Sequence, residues 1–162
     1  MKHLKNYNQF INEQFLETRY SAGLAIIFDG KILLGHSAGR KPNQGYGISK
    51  GGIEPGESNL KAAIRETKEE FGIKIPRSLI DKNEYTFVVT SHKYKYNKVV
   101  YYYIAKIDDL AQIGLKDTVI PKGRLQTEEV DDARFMDRVE ASKVIMLSQH
   151  PVLQNLIAKG LI

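Results

Sequence analysis

The segment Ser49–Gly72 constrains this chain most, because a glycine-rich loop leads directly into an acidic amphipathic helix. Ser58 as N-cap and Gly72 as a C-terminal stop predict a helix over residues 58–71. At about 100° per residue, three glutamates share roughly 100° of arc, and a mostly apolar stripe leans away from them. The glutamates are Glu66, Glu69 and Glu70, and the stripe is Leu60, Ile64, Thr67 and Phe71.

The acidic face of this helix has two interpretations. Like charges one turn apart cost roughly 0.2–0.5 kcal/mol per pair, and a hard divalent cation such as Mg²⁺, which takes oxygen ligands, would cancel that repulsion. In isolation the same face is more typical of a solvated surface. The preceding loop favours the cation, because its three glycines allow close backbone approach and Lys50 can contact a phosphate. Arg65 stands four residues before Glu69 and can orient its carboxylate.

Together, loop and helix resemble the Nudix box, the motif of the Nudix hydrolase superfamily. Every defining Gly, Glu and Arg of that motif is present, in the order Gly51, Glu57, Arg65, Glu66, Glu69, Glu70 and Gly72. The one departure within the box is Thr67, where an aliphatic residue is usual. Because Thr67 lies on the buried stripe, we expect slightly looser helix docking and unchanged chemistry.

The resemblance extends over about residues 20–155. The run Tyr20-Ser-Ala-Gly-Leu-Ala looks like the first strand of a subgroup of predicted NTP pyrophosphohydrolases. Tyr46-Gly-Ile-Ser-Lys-Gly resembles the Trp-Ser-Ile-Pro-Lys-Gly of that group, seen in similar form in diadenosine polyphosphate hydrolases, with Tyr46 in place of Trp and Ser49 in place of Pro. Glu129–Phe135 and Glu140-Ala resemble the closing strand and helix.

The resemblance implies a set of metal ligands for Mg²⁺ or Mn²⁺. Glu66, Glu69 and Glu70 are the expected ligands, Glu57 supports them, and the backbone carbonyl of Gly51 or Gly52 can add another. Arg65 is expected to hold a glutamate by a salt bridge. Metal ions polarise phosphoryl oxygens and acidify the attacking water, which suits hydrolysis of a pyrophosphate bond.

Other candidate site residues lie outside the box helix. The general base is either a box glutamate or a later carboxylate, for which Glu129 is the choice and Glu128 and Asp131 are alternatives. Lys50 is expected to contact phosphate, and Arg40 either extends that contact or is simply solvated. Tyr46 either stacks on a nucleobase or packs in the core, the commoner role for such a tyrosine.

The order of elements predicts an α/β or α+β fold, a Nudix-type α/β/α sandwich with a mixed sheet flanked by helices. Strands are expected at 22–28, 31–35, 46–48, 85–90, 99–105 and 130–136, with a turn at Asp29-Gly30. Two further helices are expected at 139–146 and 149–159, and residues 107–128 as loop. Residues 1–18 read as an N-terminal arm or short helix, and 19–162 as one domain.

Composition excludes several kinds of site and several classes of protein. The 162 residues contain no cysteine, which excludes disulfides, thiolate zinc sites and a catalytic cysteine. No apolar run is long enough for a membrane helix, and the N-terminus lacks a secretory apolar region, so a cytoplasmic protein is expected. The net charge of +5 favours anionic ligands such as phosphates and nucleic acids.

Three functions remain open from the sequence. The first is a Mg²⁺-dependent Nudix hydrolase acting on an NTP or dinucleoside polyphosphate. The second is removal of pyrophosphate or a cap from an RNA 5′ end, which the basic balance and the tyrosine-rich hairpin at 94–103 allow. The third is a Nudix module that senses nucleotides without catalysis. Specificity is expected in loops 36–48, 91–98 and 107–128, where Lys98 would affect substrate preference alone. Either a monomer or a homodimer fits.

Overall fold

The computed structural model describes residues 16–162, which form seven strands and three α-helices joined by turns and short 3₁₀ helices. None of these helices has the length and hydropathy needed to cross a membrane. The strands are β1 (Glu17–Phe28), β2 (Lys31–Ser37), β3 (Tyr46–Gly47), β4 (Ser49–Gly52), β5 (Tyr85–Ser91), β6 (Tyr96–Ile107) and β7 (Val130–Met136), and the helices are α1 (Asn59–Phe71), α2 (Arg138–Val144) and α3 (His150–Ala158).

Strands β1 and β6 run parallel through the middle of the sheet, paired from Glu17 with Tyr96 to Phe28 with Ile107. The sheet order is β3-β2-β1-β6-β5, with β4 paired to β1 and β7 paired to β2. All the other strand pairs are antiparallel. The expected mixed sheet is therefore confirmed.

Two apolar clusters, one on each face of the sheet, hold the helices against the strands. One cluster joins alternate residues of β1 and β6 to Ala62, Ala63 and Phe71 of α1. The other joins the intervening strand residues to Ala141 of α2 and to Val152 and Leu156 of α3. Since strand side chains alternate between faces, β1, β2, β6 and β7 contribute to both clusters. The expected sandwich of helices around a sheet is confirmed.

Both hairpins expected from the sequence are present. Asp29 and Gly30 have positive φ angles of 48° and 67°, the backbone of a tight turn between antiparallel strands, and they join β1 to β2. Strands β5 and β6 pair antiparallel, from Tyr85 with Tyr102 to Ser91 with Tyr96.

The central strands are longer than expected. Strand β1 begins at Glu17 rather than at residue 22, so residues 17 and 18 of the expected arm are strand, and β6 extends beyond 99–105 at both ends. Parallel pairing between the two strands satisfies the backbone of these polar ends, which the sequence pattern could not indicate. The rest of the arm, residues 1–15, lies outside the described residues. Helix α2 begins one residue and ends two residues earlier than expected, and α3 is one residue shorter at each end.

Strands β1 and β4 leave no room for a side chain at Gly23. A Cβ at residue 23 would lie 2.3 Å from the backbone oxygen of Ser49 and 2.8 Å from Cβ of Lys50, so β4 can pair with β1 only if residue 23 is glycine. We expect Gly23→Ala to lower the free energy of unfolding by about 1–3 kcal/mol or more in urea titrations. The control Gly123→Ala, whose Cβ would meet no atom within 4 Å, should change it by less than about 1 kcal/mol. Equal effects of the two variants would contradict this account.

Candidate active site

Helix α1 forms as the sequence predicts. The Ser58 side chain accepts a hydrogen bond from the Lys61 N–H at 3.3 Å. Gly72 ends the helix in the left-handed conformation, with φ of 62°, and its N–H donates to the Lys68 carbonyl. The buried side is formed mainly by Ala62, Ala63, Thr67 and Phe71. Thr67 is fully buried, as the apolar stripe of the helix predicts.

Strand β4 lies directly against the acidic side of α1. A Cβ at Gly51 would stand 2.1 Å from the Glu66 carboxylate, so only glycine allows this approach. The backbone N–H of Lys50 donates to a Glu70 carboxylate oxygen at 3.3 Å. The sequence pattern alone linked the glycine-rich loop to the helix. In the structure the backbone of the loop contacts the carboxylates of the helix.

Arg65 organises the remaining glutamates. Its guanidinium donates to Glu57 twice at 3.0 Å, to Glu66 at 2.7 Å and to Glu69 at 3.0 Å. It also donates to the Gly52 carbonyl at 2.8 Å, which ties the helix to the end of β4. These carboxylates raise the pKa of Arg65, mostly through the Glu57 hydrogen bonds and against the opposing effect of burial. The Arg65–Glu69 ion pair indicated by the spacing is present.

A cleft of about 260 Å³ opens beside these residues. Glu70 and Gly51 lie on one side, Glu129 lies in its wall just before β7, and Lys50 and Lys98 complete the charged lining. The structure therefore brings Glu129 to the box helix. Neither of the two alternative bases, Glu128 and Asp131, lines this cleft, and Asp131 pairs with His36 at 2.5 Å.

Burial raises the pKa of two of the three helix acids. The pKa of Glu70 is raised to about 8, chiefly because the side chain is desolvated and despite the nearby charge of Lys50. Desolvation also raises the pKa of Glu66, opposed by its hydrogen bond from Arg65. The Glu69 side chain is more accessible to solvent, at 50% exposed.

These carboxylates fit a hard divalent cation. Across residues 16–162, no three acidic or histidine side chains stand in a ready-made cation cage, because Arg65 holds three of the glutamates. Glu70 is nevertheless buried and Glu66 largely so, and desolvation raises the pKa of both carboxyls. Carboxylate and backbone oxygens are the ligands that Mg²⁺ and Mn²⁺ prefer.

Lys98 belongs to the site, although the sequence indicated only a position that affects substrate preference. Its side chain lines the cleft with Lys50 and Glu70. Burial lowers the pKa of Lys98, and the positive charge of Lys50 lowers it further. Only the parallel pairing of β6 with β1, which opposes Lys98 to Arg19, brings this lysine to the carboxylates. No local signal in the sequence marks it.

Two residues expected to bind substrate lie elsewhere. Tyr46 is 4% exposed and donates its hydroxyl to Asp132 at 2.7 Å, which favours packing in the core over stacking on a nucleobase. Arg40 lines separate depressions, one with His36 and Asp132 and another with Ser148, rather than the carboxylate cleft. The loop that carries Arg40 folds beside the segment before α3, which draws the side chain away from the helix acids.

Comparison with known proteins agrees with this geometry. The NUDIX domain family matches residues 17–156, which is most of the chain. The chain belongs to the Nudix family. Nudix hydrolases act on pyrophosphate bonds in nucleotide-type substrates and typically use a divalent metal. The resemblance seen in the sequence is confirmed at the level of the family.

Several solved Nudix structures share the fold. A Caenorhabditis elegans Ap4A hydrolase in a binary complex is 25% identical, with a TM-score of 0.63, covering 88% of this chain and 97% of that chain. A MutT Nudix hydrolase from Burkholderia pseudomallei is 20% identical, with a TM-score of 0.64, covering 85% and 97%. A Francisella tularensis bifunctional NMN adenylyltransferase/ADP ribose pyrophosphatase with AMP and a Mn ion is 14% identical, with a TM-score of 0.61, covering 96% of this chain and 46% of that chain.

The raised pKa of Glu70 predicts a pH-dependent cost to the metal-free fold. Between the ordinary value of 4.5 and about 8, the folded protein keeps a proton that the unfolded chain releases. The wild type therefore loses up to about 1.4 kcal/mol of stability per pH unit across this window through Glu70. Glu70→Gln removes this loss, so in EDTA its stability relative to wild type should increase from pH 4.5 to 8. A pH-independent difference in urea titrations would contradict the assignment.

Proposed function

We propose that this chain is a Mg²⁺-dependent Nudix pyrophosphohydrolase whose substrate is an NTP or a dinucleoside polyphosphate. The observation that carries the proposal is a pair of helix carboxylates, Glu70 buried and Glu66 largely so, packed against the backbone of Lys50 and Gly51 beside the cleft. An acidic surface without function would be solvated, whereas these acids are buried at a cost that a cation would relieve.

Glu66 and Glu70 are the principal ligands in this proposal, with Glu57, Glu69 and the Gly51 carbonyl as further oxygen donors. When bound, the cation supplies positive charge that polarises the phosphoryl group and acidifies the attacking water. Arg65 keeps the donors in place, since its fork of N–H groups contacts three carboxylates at 2.7–3.0 Å.

The two lysines of the cleft position the phosphates. Lys50 and Lys98 line the cleft from different strands, so a polyphosphate that enters it meets positive charge from both lysines. The cleft, about 260 Å³, is smaller than the roughly 300–1,000 Å³ of a typical pocket for a whole small molecule. The phosphates therefore occupy the cleft, and the nucleoside lies towards its mouth.

Glu129 is the proposed general base. It lines the cleft with Glu70 and is held near the helix by the turn at Gln126, whose backbone N–H donates to the Glu70 carbonyl at 3.1 Å. The Gln126 side chain also donates to Glu129 at 3.4 Å. A carboxylate in this position can accept a proton from water that attacks phosphorus.

A nucleotide panel tests the proposal. NTPs, dNTPs, dinucleoside polyphosphates, ADP-ribose, NADH and triphosphorylated RNA are assayed for phosphate and pyrophosphate release with Mg²⁺, with Mn²⁺ and with EDTA. We expect metal-dependent release from one nucleotide group, and its loss in Glu70→Gln by at least about 10²-fold, because a charged oxygen donor is removed while its shape remains.

The panel also separates the enzyme from a nucleotide sensor. If the wild type binds nucleotides without any turnover, the hydrolase proposal is rejected in favour of the nucleotide-sensing module. Full activity of Glu70→Gln would refute the ligand assignment while leaving the enzyme in place.

A second candidate, hydrolysis at an RNA 5′ end, is favoured by the surface of the β5–β6 hairpin. Tyr94 at its tip is 64% exposed, and Lys93 Nζ lies 5.0 Å from the centre of the Tyr94 ring. Arg19 Cζ lies 4.6 Å from the centre of the Tyr96 ring, and Lys98, on the same strand, lines the cleft. Cations and aromatic rings placed in this way suit a single-stranded nucleic acid.

Charge removal at the hairpin tip tests the RNA candidate. The double variant Lys93→Ala/Lys95→Ala should weaken binding of a triphosphorylated RNA oligonucleotide and lower its salt slope by roughly one per lysine, while ATP turnover is unchanged. The matched control is Lys116→Ala/Lys143→Ala, two exposed lysines in other elements. Identical RNA binding by the two double variants would argue against the RNA candidate.

A further inference from the structure

Two departures from the family pattern meet in the buried contact between β4 and α1. Ser49 stands where the related motif has proline, and Thr67 stands where the box has an aliphatic residue. Both residues are fully buried, and the Ser49 Oγ lies 2.7 Å from the Thr67 Oγ1. Two unusual polar residues, 18 positions apart, are thus each other's partners.

The hydrogen bonds around Thr67 set the direction of this contact. The Thr67 hydroxyl donates its one hydrogen to the Ala63 carbonyl at 2.9 Å, one turn earlier in the helix. It can then only accept from the neighbouring hydroxyl, so Ser49 donates to Thr67. Without Thr67, the buried Ser49 hydroxyl loses its acceptor, whereas without Ser49, Thr67 still donates within its own helix.

The contact lies next to the two places where β4 touches the helix acids. Ser49 directly precedes Lys50, whose N–H donates to Glu70, and Gly51, which abuts the Glu66 carboxylate. Thr67 follows Glu66 and lies one turn before Glu70. A change in spacing between strand and helix here would alter the position of both carboxylates.

We propose that Ser49 and Thr67 act as a coupled positioning pair, whose hydrogen bond sets the separation of β4 and α1 and thereby aligns Glu66 and Glu70 for the cation. The inference rests on the proposed function, because it assigns these glutamates to metal binding. Neither residue contacts the cation or the substrate in this account. Each acts through the strand or the helix that carries it.

The asymmetry of the pair predicts a pattern across four variants. Loss of one buried partner costs more than replacing both partners by apolar groups. We expect Thr67→Val to weaken Mn²⁺ binding by about tenfold, the effect of losing a group that orients a ligand. Ser49→Ala should weaken it less, and the double variant should recover to within about threefold of wild type. Thr67→Ser, which keeps the hydroxyl, should stay within about twofold.

The measurement is Mn²⁺ titration of the metal-free protein by calorimetry and by the EPR signal of free Mn²⁺, with melting temperatures recorded in parallel. Thr86→Val, a threonine on the exposed side of β5, is the matched control and should change neither quantity. The Mg²⁺ concentration for half-maximal turnover should follow the Mn²⁺ Kd across the variants, with little change in the KM for nucleotide.

The outcomes separate this inference from the proposed function. A lower melting temperature for Thr67→Val with an unchanged Mn²⁺ Kd would make the pair merely structural and overturn the inference. Additive effects of the two single substitutions in the double variant would also overturn it. A wild-type protein that binds no Mn²⁺ would refute the proposed metal site itself, whereas binding without turnover would refute the hydrolase and leave the positioning pair testable.

Discussion

The contact between strand β4 and helix α1 is the constraint on which the site depends. A glycine backbone lies so close to the Glu66 carboxylate that no side chain fits between them. That closeness buries Glu66 and Glu70, removes them from water and raises the pKa of each. In the proposed function a bound cation relieves this unfavourable burial, which in the metal-free protein is eased at Glu70 by protonation.

Arg65 offsets the repulsion among the clustered glutamates. A cluster of four glutamates, Glu57, Glu66, Glu69 and Glu70, would repel itself along a single surface. The guanidinium contacts three of them and also the Gly52 carbonyl, so it neutralises charge and ties the strand to the helix with the same atoms. Its planar set of N–H donors suits this role in a way that a lysine ammonium would not.

Helix α1 and both hairpins could be predicted because their signals are local. Ser58, Gly72 and the spacing of the glutamates act over three or four residues, and the Asp29-Gly30 turn acts over two. The lengths of β1 and β6 could not be predicted in this way. Their polar ends form strand only because β1 and β6 pair with each other, although they lie some eighty positions apart in the chain.

The sequence by itself determined the acidic helix, its caps, its ion pair between Arg65 and Glu69, and the family. All of these follow from short-range spacing, which the chain keeps wherever it folds. Only the tertiary structure decided which charged residues share the cleft, because sheet pairing joins distant segments. It brought Lys98 and Glu129 to the helix acids, drew Tyr46 into the core, and matched Ser49 to Thr67. The pairing register of a strand decides which face of the sheet a side chain lies on and which side chains are its neighbours, and no local sequence pattern specifies that register.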